Sequence, residues 1–266
     1  MDENRISYPV FIKQIWHSEK PGRQKNKANP VHGSSAAEYC ERFNKLGDLF
    51  AIVNSKKEQL GHPPSVLDVM SDLSAIRGLD VSGGVAIELG KSIVQTDDNT
   101  RNLHQLNDDI RRKVTWEKLD QIMQENGFKT GFDIVMCSGV GGMGQITDNP
   151  NIHFFLLQQF YKRLSSEGGL ILTEVPESSS YIVREWVRFI EENYKKRIEV
   201  KLRESPSLGR EHNLVLAIIR QPEAPGVLPA NFTAVDIDRL YKKGLFDKNG
   251  VLCYGEAPGL IEKHVG

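Results

Sequence analysis

Acidic residues recur where short apolar runs end. Asp68 and Asp72 lie around the close of SVLDVM (65–70), and Glu88 falls near the end of VAIEL (85–89). Asp108 and Asp109 close a weaker run within 103–110, and Ser138-Gly139 follows FDIVMC (132–137). If these runs are parallel strands, the acids stand at the carboxyl edge of the sheet, where open α/β sheets collect ligands. A carboxylate at Glu88 can accept two hydrogen bonds from the hydroxyls of a ribose. One at Asp108 or Asp109 can take a proton from an adenine amino group. A rival motif, Gly139-Val-Gly-Gly-Met-Gly144, satisfies G-x-G-x-x-G directly after a run and could open a dinucleotide site, with Glu174 closing the next run as its acid. In that fingerprint the third glycine lies in the first turn of a helix, whose dipole holds the pyrophosphate. Here Gln145 to Asn149 intervene before Pro150, a residue suited to the first helical position.

Other chemistries find little support. Three cysteines (Cys40, Cys137 and Cys253) stand far apart with no CxxC, and seven scattered histidines form no HExxH or HxH, so no metal site and no disulfide framework is expected. G-x-S-x-G is absent, and no catalytic residue can be assigned from the sequence.

The elements that must position these residues can be read from periodicity. Ser35-Ala-Ala-Glu38 has the form of a capping box. Tyr39, Phe43, Leu46, Phe50 and Val53 then recur at helical spacing, which predicts one helix ending at Gly61 and Pro63-Pro64. Thr115 is placed to cap a helix carrying Trp116, Leu119, Ile122 and Met123; Pro150 opens a second, and residues 179–195 form a third through Ile182, Trp186, Phe189 and Ile190. Gly168-Gly169 introduces the strand LILTEV. IEVKL (198–202) and NLVLAII (213–219) follow with only a loop between them, too short for a helical crossover, so they pair antiparallel. Short, continuous apolar strands separated by helices predict a mainly parallel sheet covered on both faces.

Composition sets the outer bounds. The 266 residues carry 34 Lys+Arg against 35 Asp+Glu, a net charge of −1, with 39% apolar and 26% charged residues. That is the profile of a globular chain able to bury a core. It provides no long-range field for coating a polyanion, which argues against nucleic acid as partner. No run is long enough for a membrane span, and charge breaks the apolar stretch of MDENRISYPVFIKQIW, so neither an anchor nor a secretory leader is expected. A reducing, cytoplasmic setting fits. Residues 1–34 read as a flexible arm, 35–221 as the α/β domain, and 222–266 as an extension with a short helix over 234–243.

The order of these features resembles the class I S-adenosylmethionine-dependent methyltransferases. The residues that carry the resemblance are VLD in the first strand, Glu88 closing the second, the Asp pair after the third, FDIVMCSGV, LLQQFYKRLSSEGGLILTEVP (156–176) and the terminal strand pair. It spans about residues 35–220. It implies a doubly wound, mainly parallel seven-stranded sheet with an antiparallel final strand, and S-adenosylmethionine as cofactor. It further implies that Asp68 and the turn Met70-Ser71-Asp72 approach the methionine portion. Glu88 would bind the ribose, Asp109 or Asp108 the adenine, and Ser138-Gly139 would border the site of transfer. The chain departs from the family where its first loop should be glycine-rich: Met70-Ser71-Asp72-Leu73-Ser74 has no glycine before Gly78. It also lacks an (N/D)PPY segment after the fourth strand, which argues against the subgroup that uses it. The leading expectation is methyl transfer to a small-molecule or protein acceptor. The alternatives are a non-catalytic binding protein on a decayed methyltransferase fold and an NAD-dependent oxidoreductase working through the 139–144 loop.

Overall fold

The structure is a computed structural model that describes residues 35–88, 102–108, 110, 113–138, 150–175, 177–205 and 213–230. The arm over 1–34, the 139–149 loop with its glycines, Asp109, and the helix expected over 234–243 lie outside the described residues.

Six of the seven described strands overlap an apolar run, and the third, LHQLN, falls within the weaker stretch over 103–110. The strands are β1 (Ser65–Val69), β2 (Gly83–Glu88), β3 (Leu103–Asn107), β4 (Ile134–Cys137), β5 (Leu170–Val175), β6 (Ile198–Ser205) and β7 (Asn213–Arg220). They form one sheet in the order β3-β2-β1-β4-β5-β7-β6. The first five run parallel, and β7 is antiparallel to both β5 and β6. This is the doubly wound arrangement with an antiparallel final strand that the sequence predicts. Phe132 falls outside β4 and makes only an isolated bridge to Leu164, so the strand begins two residues later than the apolar run.

The helices are α1 (Ala36–Phe43), α2 (Leu49–Leu60), α3 (Ser74–Arg77), α4 (Lys113–Glu125), α5 (Pro150–Lys162) and α6 (Glu177–Asn193). The capping box at Ser35 is present in both directions. The single helix expected through Val53 is in fact two. Gly47 takes φ 144, and the Asp48 carboxylate accepts a bond from Ala51 N at 2.9 Å, restarting the chain as α2. The break turns Phe50 outward, leaving it 42% exposed rather than on the buried stripe. Thr115 is a third-position residue, buried inside a helix that starts at Lys113, not its cap.

Alternate strand residues face opposite layers. Leu67, Val85, Ile87 and Val135 pack with Trp116 of α4, Phe160 of α5 and Trp186 of α6. Val66, Ala86, Ile134 and Met136 pack with Tyr39 and Phe43 of α1, Val53 of α2 and Ile76 of α3. Residues 222–230 lie against the first layer. Leu228 is buried, its amide donates to Gln158 Oε1 at 2.9 Å, and Trp186 Nε1 donates to the Pro229 carbonyl at 2.7 Å.

The sheet is tight enough at one point to require glycine. Gly84 pairs with Val66, and a Cβ placed on it would lie 2.5 Å from the Val66 carbonyl oxygen. Gly84→Ala must therefore push two core strands apart. We expect a loss of about 1–3 kcal/mol, read as a fall in Tm of about 2–4 °C per kcal/mol. An unchanged Tm would contradict this approach distance.

Candidate functional site

Strand order reverses between β1 and β4, and an open sheet binds ligands beyond the carboxyl ends of the strands at such a point. The predicted acids converge on that edge. Asp68 is the fourth residue of β1, Glu88 is the last of β2, and Asp108 follows β3 directly. The register Glu88↔Asn107 brings the last two side by side, and Asp108 N donates to the Glu88 carbonyl at 3.1 Å.

Asp68 is fully buried on the layer that faces α1. Its Oδ1 accepts from the Tyr39 hydroxyl at 2.6 Å, while Oδ2 has no hydrogen-bond partner. Burial pushes this carboxyl up to about 8, against the lowering effect of the Tyr39 and Ser71 hydroxyls and with a small further rise from Asp72. The Tyr39 phenol is also raised, chiefly by burial and then by the Asp68 charge. Ser71 is buried too; its hydroxyl lies near enough to favour the Asp68 carboxylate, but its Oγ makes no hydrogen bond of ordinary geometry. Buried polar atoms without a partner are uncommon in folded proteins, and these two stand three residues apart, one in β1 and one in the turn that follows it.

The turn after β1 takes a backbone form that usually calls for glycine, although it contains none. Met70 adopts φ 67, the left-handed conformation that glycine takes without strain and that costs other residues about 1–2 kcal/mol. The amides of Met70 and Ser71 both donate to the Ile87 carbonyl, at 2.7 and 3.1 Å, and hold that conformation against β2. The Met70 side chain, half-buried, packs onto the core. Asp72 Oδ1 accepts from the Ser74 amide at 2.7 Å in the turn that leads into α3.

Glu88 is half-buried, and its Oε2 accepts from Gln105 Nε2 at 2.8 Å. Asp108 is paired with Lys118 of α4 at 2.6 Å, with the carboxylate side chain 6% exposed and the ammonium 50% exposed. Ser138 is buried at the end of β4, where Arg42 of α1 donates to its carbonyl and, at 3.4 Å, to its hydroxyl. Cys137 beside it is fully buried, and its thiol is held well above the usual range, mainly by burial and then by the Asp68 charge. Glu174, the acid of the rival motif, is also buried, and α5 starts at Pro150, six residues past Gly144.

Sequence reasoning thus placed Asp68, Ser71, Glu88, Asp108 and Ser138 on one edge. It missed Arg42 and Gln105, and it counted Tyr39 only as part of an apolar stripe. A guanidinium three residues after a tyrosine on a buried helix face was the available signal. Among the described residues no cluster of three or more His, Cys, Asp and Glu could hold a metal, and no helix is long and apolar enough to cross a membrane.

No protein-family model matches the chain, and no curated protein does. Solved structures similar to it include the plantazolicin methyltransferase BpumL in complex with a monoazolic desmethylPZN analog and SAH. That chain is 9% identical with a TM-score of 0.43, over 80% of this chain and 97% of BpumL. An rRNA methylase from Streptococcus thermophilus is 12% identical with a TM-score of 0.40, over 59% of this chain and 87% of its own. The N-methyltransferase NodS from Bradyrhizobium japonicum WM9 is 11% identical with a TM-score of 0.38, over 65% and 94%.

Proposed function

We propose that the chain binds S-adenosylmethionine at the carboxyl edge of β1, β2 and β3 and transfers its methyl group to a small-molecule or protein acceptor. The observation that carries this reading is the alignment of Asp68, Glu88 and Asp108 across three neighbouring strand ends beside the β1/β4 reversal. The cofactor supplies a methyl group on a positively charged sulfur and leaves as a neutral thioether.

The residues present fit such a molecule. The unpartnered Asp68 Oδ2 and Ser71 Oγ offer acceptors to its ammonium group. Glu88, last in β2, offers the ribose an acceptor already oriented by Gln105. Asp108, with Lys118 as its counter-ion, borders the position of the adenine, and Asp109 adjoins it in the chain. Met70 and Asp72 shape the turn beneath the methionine portion, and Ser138, which Gly139 follows in the sequence, borders the acceptor side. No covalent intermediate is required, because alignment of acceptor and methyl group provides much of the rate. The near-zero net charge favours a compact acceptor over a polynucleotide. The cysteine usage favours a cytoplasmic setting.

Calorimetry and thermal shift with S-adenosylmethionine, S-adenosylhomocysteine and NAD test the reading. Binding of the first two should raise Tm, since a ligand at a hundred times its Kd stabilises the native state by about 2.7 kcal/mol. A response to NAD alone would replace this reading with the oxidoreductase. Silence toward all three would favour a binding protein that has lost its cofactor.

A further inference from the structure

Helix α1 lies across the point where strand order reverses. Ala36, Tyr39 and Arg42 recur every three residues and share its inner face. A Cβ built on Gly78, which ends α3, would stand 3.0 Å from the Ala36 methyl, so α1 rests directly on the backbone that follows the β1 turn. One turn on, Tyr39 holds Asp68 near the end of β1 at 2.6 Å. After the next interval, Arg42 reaches the carbonyl and hydroxyl of Ser138 at the end of β4. The face therefore spans the two strands that flank the reversal. Packing alone does not call for a phenol and a guanidinium here. Phe43 supplies apolar cover from the same helix, and burying polar groups is unfavourable unless they are bonded.

We propose that Tyr39 and Arg42 are positioning residues of the ligand site. Tyr39 sets the Asp68 carboxyl so that its second oxygen is left for a ligand donor, and Arg42 sets the end of β4 at Ser138. The identity of the ligand rests on the methyl-transfer reading, whereas the positioning itself belongs to the free protein. The groups that face Asp68 are Tyr39 from α1, Ser71 and Asp72 from the turn, and Cys137 from β4. The phenolic proton favours the charged carboxylate, so its removal must move the ionisation of Asp68 upward.

The variants Tyr39→Phe, Arg42→Lys and Arg42→Met test this. In the ligand-free protein, carboxyl carbon resonances titrated from pH 5 to 10 report Asp68 directly. We expect Tyr39→Phe, which keeps the ring and the packing, to raise the midpoint by about one unit. Calorimetry with S-adenosylhomocysteine from pH 6 to 9 should then show affinity about ten-fold weaker and its pH profile displaced in the same direction. Arg42→Met should weaken the same affinity about ten-fold, and Arg42→Lys should recover part of it, because an ammonium can still donate to one of the two Ser138 acceptors. An unmoved Asp68 midpoint in Tyr39→Phe would overturn the role of Tyr39. Equal, wild-type affinity in both Arg42 variants would overturn that of Arg42. If the wild type itself binds no S-adenosylhomocysteine, the methyl-transfer reading fails, and the carboxyl titration alone decides whether α1 positions Asp68.

Discussion

Replacing Glu88 by alanine should abolish measurable binding of S-adenosylmethionine and S-adenosylhomocysteine and leave the protein folded. Glu88 is the last residue of β2, one strand away from the reversal, and its partner in the register is Asn107. The Gln105 bond at 2.8 Å fixes one of its oxygens and orients the carboxylate plane. A ribose presents two adjacent hydroxyls, and hydrogen bonds to a charged group contribute about 1.5–3 kcal/mol each. Losing both corresponds to a drop in affinity of about a hundred-fold or more. Stability should change little, because Glu88 is half-buried at the open edge and belongs to neither apolar layer. Glu88→Gln keeps the shape but removes the charge, so its affinity should fall between alanine and wild type. Calorimetry gives the affinities, and circular dichroism with thermal melts checks the fold. Full affinity in Glu88→Ala would mean that the end of β2 does not hold the ribose.

The strand ends were legible where a buried parallel strand is a continuous apolar run, because a charged residue at its close stands out. Glu88 is of this kind, whereas Asp108 follows the mixed, half-buried β3, and only its place after that weak run marked it. Asp68 is only half legible. Its place near the end of β1 is visible, but its complete burial depends on α1 folding over it, which no local pattern records. The same limit hid Arg42, whose partner Ser138 lies 96 positions away. The division of α1 from α2 was hidden for a different reason. The apolar stripe keeps helical spacing across Gly47-Asp48, and the cap that ends it was outweighed by the period. Met70 shows the deepest limit. A missing glycine reads as a missing turn, yet the two amide bonds to Ile87 impose the left-handed conformation on a methionine. The degenerate loop is thus degenerate in sequence more than in backbone. That difference separates a turn built by neighbouring contacts from one built by intrinsic propensity.

The buried carboxyl should also make stability depend on pH in an unusual direction, and Asp68→Asn should remove the dependence. The ordinary value for this group is 3.8, and burial raises it to about 8 in the folded protein. Between those values the native state keeps a proton that the unfolded chain has released. Stability is therefore full at low pH and falls as pH rises toward 8, by at most about 1.4 kcal/mol per unit. Few described groups interfere within pH 5 to 8. Burial lowers His104, which gives an opposite and smaller trend near its ordinary 6.5. Glu38, lowered by its bond to the Ser35 backbone, acts below its ordinary 4.5. The raised Cys137 thiol deepens the fall only from about its ordinary 9.0 upward. Asparagine still offers an oxygen to Tyr39 and carries no titrating proton. Melts from pH 5 to 9 should show Tm of the wild type declining by about 3–6 °C per unit at the steepest part, with the Asp68→Asn curve flatter and crossing above it. Parallel curves would mean that Asp68 ionises at its ordinary value. The same proton would link stability to the proposed binding. An ammonium arriving at Asp68 Oδ2 favours the carboxylate, so binding at pH 7 should release a proton, visible as a calorimetric enthalpy that changes with the ionisation enthalpy of the buffer. In Asp68→Asn that buffer dependence should vanish, and its persistence there would assign the proton to another group.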